Sequence, residues 1–112
     1  MPIKSPEVSV NPAVIAFLDR ISAHFGERYL FTVLYGSHAR GEGTPESDID
    51  LLVILSSISN YERDWEDCID LASEIASNTG DLISVLVCSA EDYENREHPL
   101  LMNIRKEGSV LR

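Results

Sequence analysis

The sequence predicts an α/β (α+β) fold: one small domain in which helices cover a three-stranded mixed sheet. Three observations lead there. First, the runs Tyr29 to Tyr35, Asp48 to Leu55 and Leu82 to Val87 are dense in aliphatic, β-branched and aromatic residues, the composition of buried strands. Second, apolar residues recur at helical spacing between and around those runs. Third, a chain of 112 residues suits one core and leaves little room for a second.

The elements follow in order. Residues 1–10 carry Pro2 and Pro6 and little periodicity, and read as an N-terminal arm to a domain spanning 11–112. Asn11 is a natural N-cap, with Pro12 at the first helical position. Val14, Phe17, Leu18, Ile21 and Phe25 then mark one buried helix face, and Gly26 stops it. The first strand runs directly into Gly36-Ser37. Residues 36–47 are polar, hold Gly36, Gly41, Gly43 and Pro45, and read as a turn or short helix followed by a loop. After the second strand, Ser59 and Glu62 have capping-box spacing, and Trp65, Cys68, Ile69, Ala72, Ile75 and Ala76 form a stripe that places Trp65 in the core. Gly80 ends that helix. Past the third strand, residues 89–97 are acidic and partly helical, the charges from Glu91 to Glu97 forming a solvated face or a docking surface for a basic partner. Pro99 opens a last helix with Leu100, Leu101 and Ile104, ending at Gly108, and Val110-Leu111 is a candidate short edge strand.

Composition narrows the function classes. The formal net charge is −10, which repels a phosphate backbone at long range and argues against free nucleic acid as a partner. A nucleotide is still compatible, because a metal ion screens phosphates locally. The longest apolar run, Leu51 to Leu55, is far too short for a bilayer, and MPIKSPEVSV lacks the apolar core of a secretory signal, so a cytoplasmic protein is expected. Cys68 and Cys88 form no CxxC pair and no zinc-spaced cluster, and read as small buried residues rather than a disulfide.

Chemistry concentrates between Gly36 and Val53, GSHARGEGTPESDIDLLV. A strand delivers Gly36 and Ser37 to the sheet edge, where glycine admits a ligand close to the backbone. Amides at a helix start bind phosphate, and Arg40, one turn on, can neutralise another phosphate oxygen. Asp48 and Asp50 open the next strand. Residues i and i+2 share a face, with α-carbons about 6.5 Å apart. Two carboxylates so placed are hard ligands suited to Mg²⁺. Each feature alone has a plainer reading: Gly-Ser as a turn and cap, Asp-x-Asp as a solvated strand start, Arg40 as a surface charge. Together, at this spacing and between two apolar strands, they make a phosphate cradle beside a carboxylate pair, the equipment of metal-assisted phosphoryl or nucleotidyl transfer. The other singled-out residues carry less: His38 reads as a surface residue, and His24 and His98 show no partner spacing.

The same residues carry a resemblance. Gly36-Ser37, Ala39-Arg40-Gly41 and Ser47-Asp48-x-Asp50-Leu51 are similar to the pattern of the DNA polymerase beta-like nucleotidyltransferases. The likeness is greatest to the minimal nucleotidyltransferases found beside HEPN-domain toxins in prokaryotic toxin–antitoxin pairs. The motif covers about a sixth of the chain, and the element order and the ending from Pro99 through Leu111 extend the resemblance more weakly. It implies the nucleotidyltransferase fold, triphosphate binding by Gly36 and Ser37, and Asp48 and Asp50 as metal ligands and catalytic residues with Mg²⁺ as cofactor. Arg40 would orient phosphate or stabilise the loop. The implied reaction moves a nucleoside monophosphate from a triphosphate, ATP by preference, to a hydroxyl of a HEPN-type protein partner.

One part of the pattern departs. Active members of the family carry a third carboxylate on the third strand, and the corresponding position here reads Ser84. Asp81, three residues earlier, faces the opposite side of an ideal strand unless a bulge or an early strand start brings it round. Three functions follow. The first is a Mg²⁺-dependent transferase acting on a partner toxin. The second is a catalytically weak or inactive nucleotide-binding antitoxin that works by protein contact. The third, ranked last because the chain has no second domain to hold such an acceptor, is a transferase acting alone on RNA or an antibiotic. The small size leads us to expect work within a homodimer or a heteromeric complex.

Overall fold

The computed structural model describes residues 11–44 and 46–111; the expected arm at 1–10 lies outside them. Helix α1 (Pro12–Phe25) begins as its sequence requires: the Asn11 side chain accepts from the amides of Ala13 and Val14. A single 3₁₀ turn (Gly26–Arg28) leads into β1 (Tyr29–Tyr35). Then come β2 (Ile49–Leu55), α2 (Tyr61–Thr79), β3 (Ile83–Ser89), α3 (Ala90–Asn95), α4 (Pro99–Glu107) and β4 (Ser109–Val110).

The sheet has four strands in the order β3-β2-β1-β4, one more than the three expected. The addition is the two-residue β4, which pairs antiparallel with Val33 and Leu34 of β1 and sits one residue earlier than the Val110-Leu111 of the sequence reading. β1 and β2 pair antiparallel, β2 and β3 parallel, so the sheet is mixed. A parallel neighbour needs a crossover, and α2 is that crossover.

The two faces of the sheet carry different cores. On one, Phe17, Ile21 and Phe25 of α1 and Cys68, Ala72 and Ile75 of α2 bury Leu34, Leu51, Val53 and Val85. On the other, Val33, Leu52, Ile54 and Cys88 pack under Tyr93 of α3 and Ile104 of α4. Every residue of β2 from Leu51 to Leu55 is buried, which is why that run is apolar without alternation. The cysteines are free and buried, and they belong to opposite faces. Among the described residues no helix is long and apolar enough to cross a membrane.

Two local readings need correction. Asn60, not Ser59, caps α2, its side chain accepting from the Arg63 amide at 3.2 Å. Trp65 is not core. It stands 36% exposed on α2, and its indole N–H donates to the Val85 carbonyl at 3.2 Å. β3 is one of the two edge strands, so the indole occupies an edge carbonyl that would otherwise invite another strand. Helical spacing placed Trp65 on the right side of α2 but could not show that the side ends at a sheet edge.

Candidate functional site

β1 ends where β2 begins, and antiparallel pairing sets Tyr35 beside Asp50. Parallel pairing on the other side of β2 sets Ser84 beside Asp50. Asp50 therefore stands mid-sheet between Tyr35 and Ser84, on the face that carries Leu52 and Ile54. Asp48 lies two residues earlier, just before the strand proper, and is exposed. The carboxylate pair thus projects at the sheet end to which β1 delivers its glycine.

Gly36 is fitted to that place. Its φ is +77°, which side chains of L residues rarely adopt, and a Cβ there would lie 2.3 Å from Asp50 Oδ2. The Asp50 carboxylate occupies the space that only glycine leaves. Burial, and then the neighbouring Asp48 charge, raise the Asp50 pKa above the ordinary aspartate value, with His38 and Arg40 opposing. Burial and the Asp50 charge together push the Tyr35 hydroxyl up to about 12, so it stays protonated.

After Gly36 the chain makes turns rather than a regular helix. The Gly36 carbonyl accepts from the amides of Ala39 and Arg40 at 3.1 and 3.2 Å, and the Ser37 carbonyl from Glu42 at 2.9 Å. Gly41, at φ +75°, reverses the chain. The amides of Ser37 and His38 precede the first of these bonds, as at a helix start. Arg40 is exposed and pairs with Glu42 at 2.7 Å. With Tyr35, Gly36, Asn103 and Glu107 it lines a pocket of about 240 Å³ under α4. On the β3 side, Asp48 and Ser84 border a trough of about 410 Å³ that runs along the edge strand to Trp65.

His38 belongs to the site's framework, which the sequence reading missed. Its Nε2 lies 3.3 Å from the Ser47 carbonyl, and a Cβ on Gly43 would meet its ring at 2.3 Å. The imidazole thus fills the notch at Gly43 and ties the loop to the residue before Asp48. The available signal was a second loop glycine five residues after a histidine, too weak to use alone.

Asp81 does not complete a triad. It sits in the turn between Gly80 and β3, its amide donating to Thr79 Oγ1 at 3.2 Å. The β2–β3 register runs from Ile49/Ile83 to Leu55/Ser89 one for one, with no bulge to rotate Asp81 inward. Among the described residues no three His, Cys, Asp or Glu side chains gather closely enough to hold a metal. The donor set is two carboxylates. That still suits Mg²⁺, which takes one or two carboxylates and completes its shell with water and substrate phosphates.

With this geometry in hand, comparison with known proteins is specific. The family described as polymerase beta, nucleotidyltransferase, matches residues 22–112. A Methanocaldococcus jannaschii protein, named as a candidate protein adenylyltransferase, is 30% identical over 100 residues, which make up 88% of this chain and 94% of that protein. A chain from the crystal structure of a toxin–antitoxin with AMP-PNP superposes with a TM-score of 0.60 at 19% identity, over 86% of this chain and 70% of that one. A candidate nucleotidyltransferase from Sulfolobus solfataricus gives a TM-score of 0.58 at 18% identity, over 95% and 84%. The last two speak for the fold alone. The family match takes in the whole stretch from Gly36 to Asp50 and every strand of the sheet, and on it the chain belongs to the polymerase beta nucleotidyltransferase family.

Proposed function

We propose that this chain is a Mg²⁺-dependent protein nucleotidyltransferase that moves AMP from ATP to a hydroxyl of a partner protein, the partner being a HEPN-type toxin. The observation that carries this reading is the seating of the Asp50 carboxylate against Gly36. It brings the face of β2 that would hold the metal within contact of the loop that would hold the phosphates. Asp48 and Asp50 would hold Mg²⁺, which neutralises phosphate charge when bound. Gly36 and Ser37 would seat the β- and γ-phosphates through backbone amides and the Ser37 hydroxyl. Arg40 would release Glu42 and turn to a phosphate oxygen. In the reaction the acceptor oxygen bonds to the α-phosphorus, the bond to the β-phosphate oxygen breaks, pyrophosphate leaves, and the hydroxyl proton passes to solvent. Transfer to protein is supported by the name of the M. jannaschii relative, and the toxin by the toxin–antitoxin neighbour.

A second reading has its own support. Ser84 stands beside Asp50 where a third carboxylate would act, and a serine hydroxyl supplies neither charge nor basicity at neutral pH. A slow or inactive enzyme would then protect by contact, as a nucleotide-binding antitoxin. Ser84→Asp separates the two. If transfer already limits the wild type, the variant gains rate in a labelled-ATP assay. If the chain acts by contact, protection of cells from the partner is unchanged in Asp48→Asn/Asp50→Asn.

A further inference from the structure

The trough of about 410 Å³ on the β3 side of the site is open along its length. One wall is α2, where Trp65, Ile69, Ala72 and Ala76 recur at helical spacing; the other is the sheet edge from Leu82 to Leu86. Leu82 is 59% exposed and Trp65 36%, so solvent reaches two large apolar side chains at either end. An added strand does not fit this edge, because the Trp65 indole already donates to the Val85 carbonyl in its middle. The trough is left to side chains. The stretch of α2 from Trp65 to Ala76 rises about 16 Å, roughly three helical turns, so a helix of similar length can lie alongside it.

Charge decides what kind of helix. Glu62, Glu66 and Asp70 are exposed on α2, each three residues before Trp65, Ile69 and Ser73, and so form the helical row beside the trough. Like charges at four-residue spacing repel along a helix, and among the described residues none of the three is in an ion pair. Asp48 adds a carboxylate at the trough's end. A second copy of this chain, itself carrying −10, would meet that row with repulsion. Resting on the transferase reading, we infer that the trough docks the acceptor protein through an amphipathic helix whose apolar ridge is flanked by Lys or Arg. The ridge packs between Leu82 and Trp65, and the basic flank meets Glu62, Glu66 and Asp70. Because Asp48 borders the groove, the docked helix ends beside the carboxylate pair, and the groove selects the protein whose hydroxyl reaches it.

Trp65 is the only tryptophan, so its emission reports on the groove in the full chain. The probes are a tryptophan-free helical peptide with Leu along one face and Lys around the rest, and its counterpart with Glu for Lys. The expected result is that the Lys peptide shifts Trp65 emission to the blue and saturates, while the Glu peptide does nothing. Glu66→Lys/Asp70→Lys is expected to weaken the Lys peptide at least about tenfold, and Leu82→Ser about fivefold. Glu91→Lys/Glu94→Lys, the same charge change on α3, should leave it within about twofold. Calorimetry with Mg²⁺ and a non-hydrolysable ATP analogue should give one affinity for the wild type and all three variants. If the two charge reversals weaken the peptide equally, the attraction is that of the net charge and the groove is overturned. An unchanged emission, or a Leu82→Ser variant that binds like the wild type, also overturns it, and the transferase reading stands as long as the ATP analogue binds. If the ATP analogue does not bind the wild type, the transferase reading falls and the groove's acceptor role falls with it.

Discussion

At the scale of single residues, Gly36 and Asp50 are one fitting. An alanine at 36 would set its Cβ 2.3 Å from Asp50 Oδ2 and would also hold an L side chain at a φ of +77°. The backbone strain alone is about 1–2 kcal/mol, and the displaced carboxylate is the one expected to bind metal. Gly36→Ala should therefore weaken Mg²⁺-dependent ATP binding at least about tenfold by calorimetry, and wild-type affinity in that variant would contradict the fitting. Asp50 also sets a pH dependence. Its folded pKa is raised by burial and by Asp48, so between the unfolded and folded values the native state holds more protons than the unfolded chain. Stability from this group is thus lost as pH rises through that window. Asp50→Asn should raise the Tm at pH 7, and the gain should vanish once the pH falls below the ordinary aspartate value. Equal Tm values across the range would mean the carboxylate is not penalised by its surroundings.

At the scale of elements, the joint between the first 3₁₀ turn and α2 is built on a buried charge. Asp64 is 5% exposed and accepts two hydrogen bonds from Arg28, at 2.9 and 3.0 Å. The Arg28 guanidinium also lies 5.2 Å from the Phe25 ring centroid. Arg28→Ala strands the carboxylate and should cost about 1–3 kcal/mol in denaturant unfolding, the lower half of the range applying because Arg28 is itself partly solvated. A change within error would show that water replaces the pair. Trp65→Phe removes the donor to Val85 from the edge of β3 and should cost about 1 kcal/mol. This scale also marks how far the sequence could be read. Helices, strands and their order were legible because apolar spacing and caps such as Asn11 are local signals. The Arg28–Asp64 pair was not, because a buried aspartate on an amphipathic helix looks like any solvated one until its partner, 36 residues away in sequence, arrives. Trp65 was misplaced for the same reason, since whether a helix stripe ends in core or at a sheet edge depends on strand order.

At the scale of the whole molecule, the Gly-Ser and Asp-x-Asp spacing pointed to candidate residues of which the structure sets Gly36 against Asp50, and Ser84 stands beside Asp50 in the β2–β3 register. The two pockets described beside the site were not legible, since one is walled by α2 and the other by α4, elements far away in sequence. The net charge of −10 acts at this scale as well. It should keep the chain off DNA and RNA in gel-shift assays at physiological salt, whereas association with a basic partner should slow as salt is raised. Nucleic-acid binding that tightens at low salt with micromolar affinity would contradict that. The central claim is tested most directly by incubating the chain with Mg²⁺, α-phosphate-labelled ATP and a HEPN-type protein as the proposed partner. The account predicts label on the partner with the wild type and none with Asp48→Asn/Asp50→Asn or after chelation. Label that persists in the double variant, or a wild type that neither transfers label nor binds ATP, would contradict it.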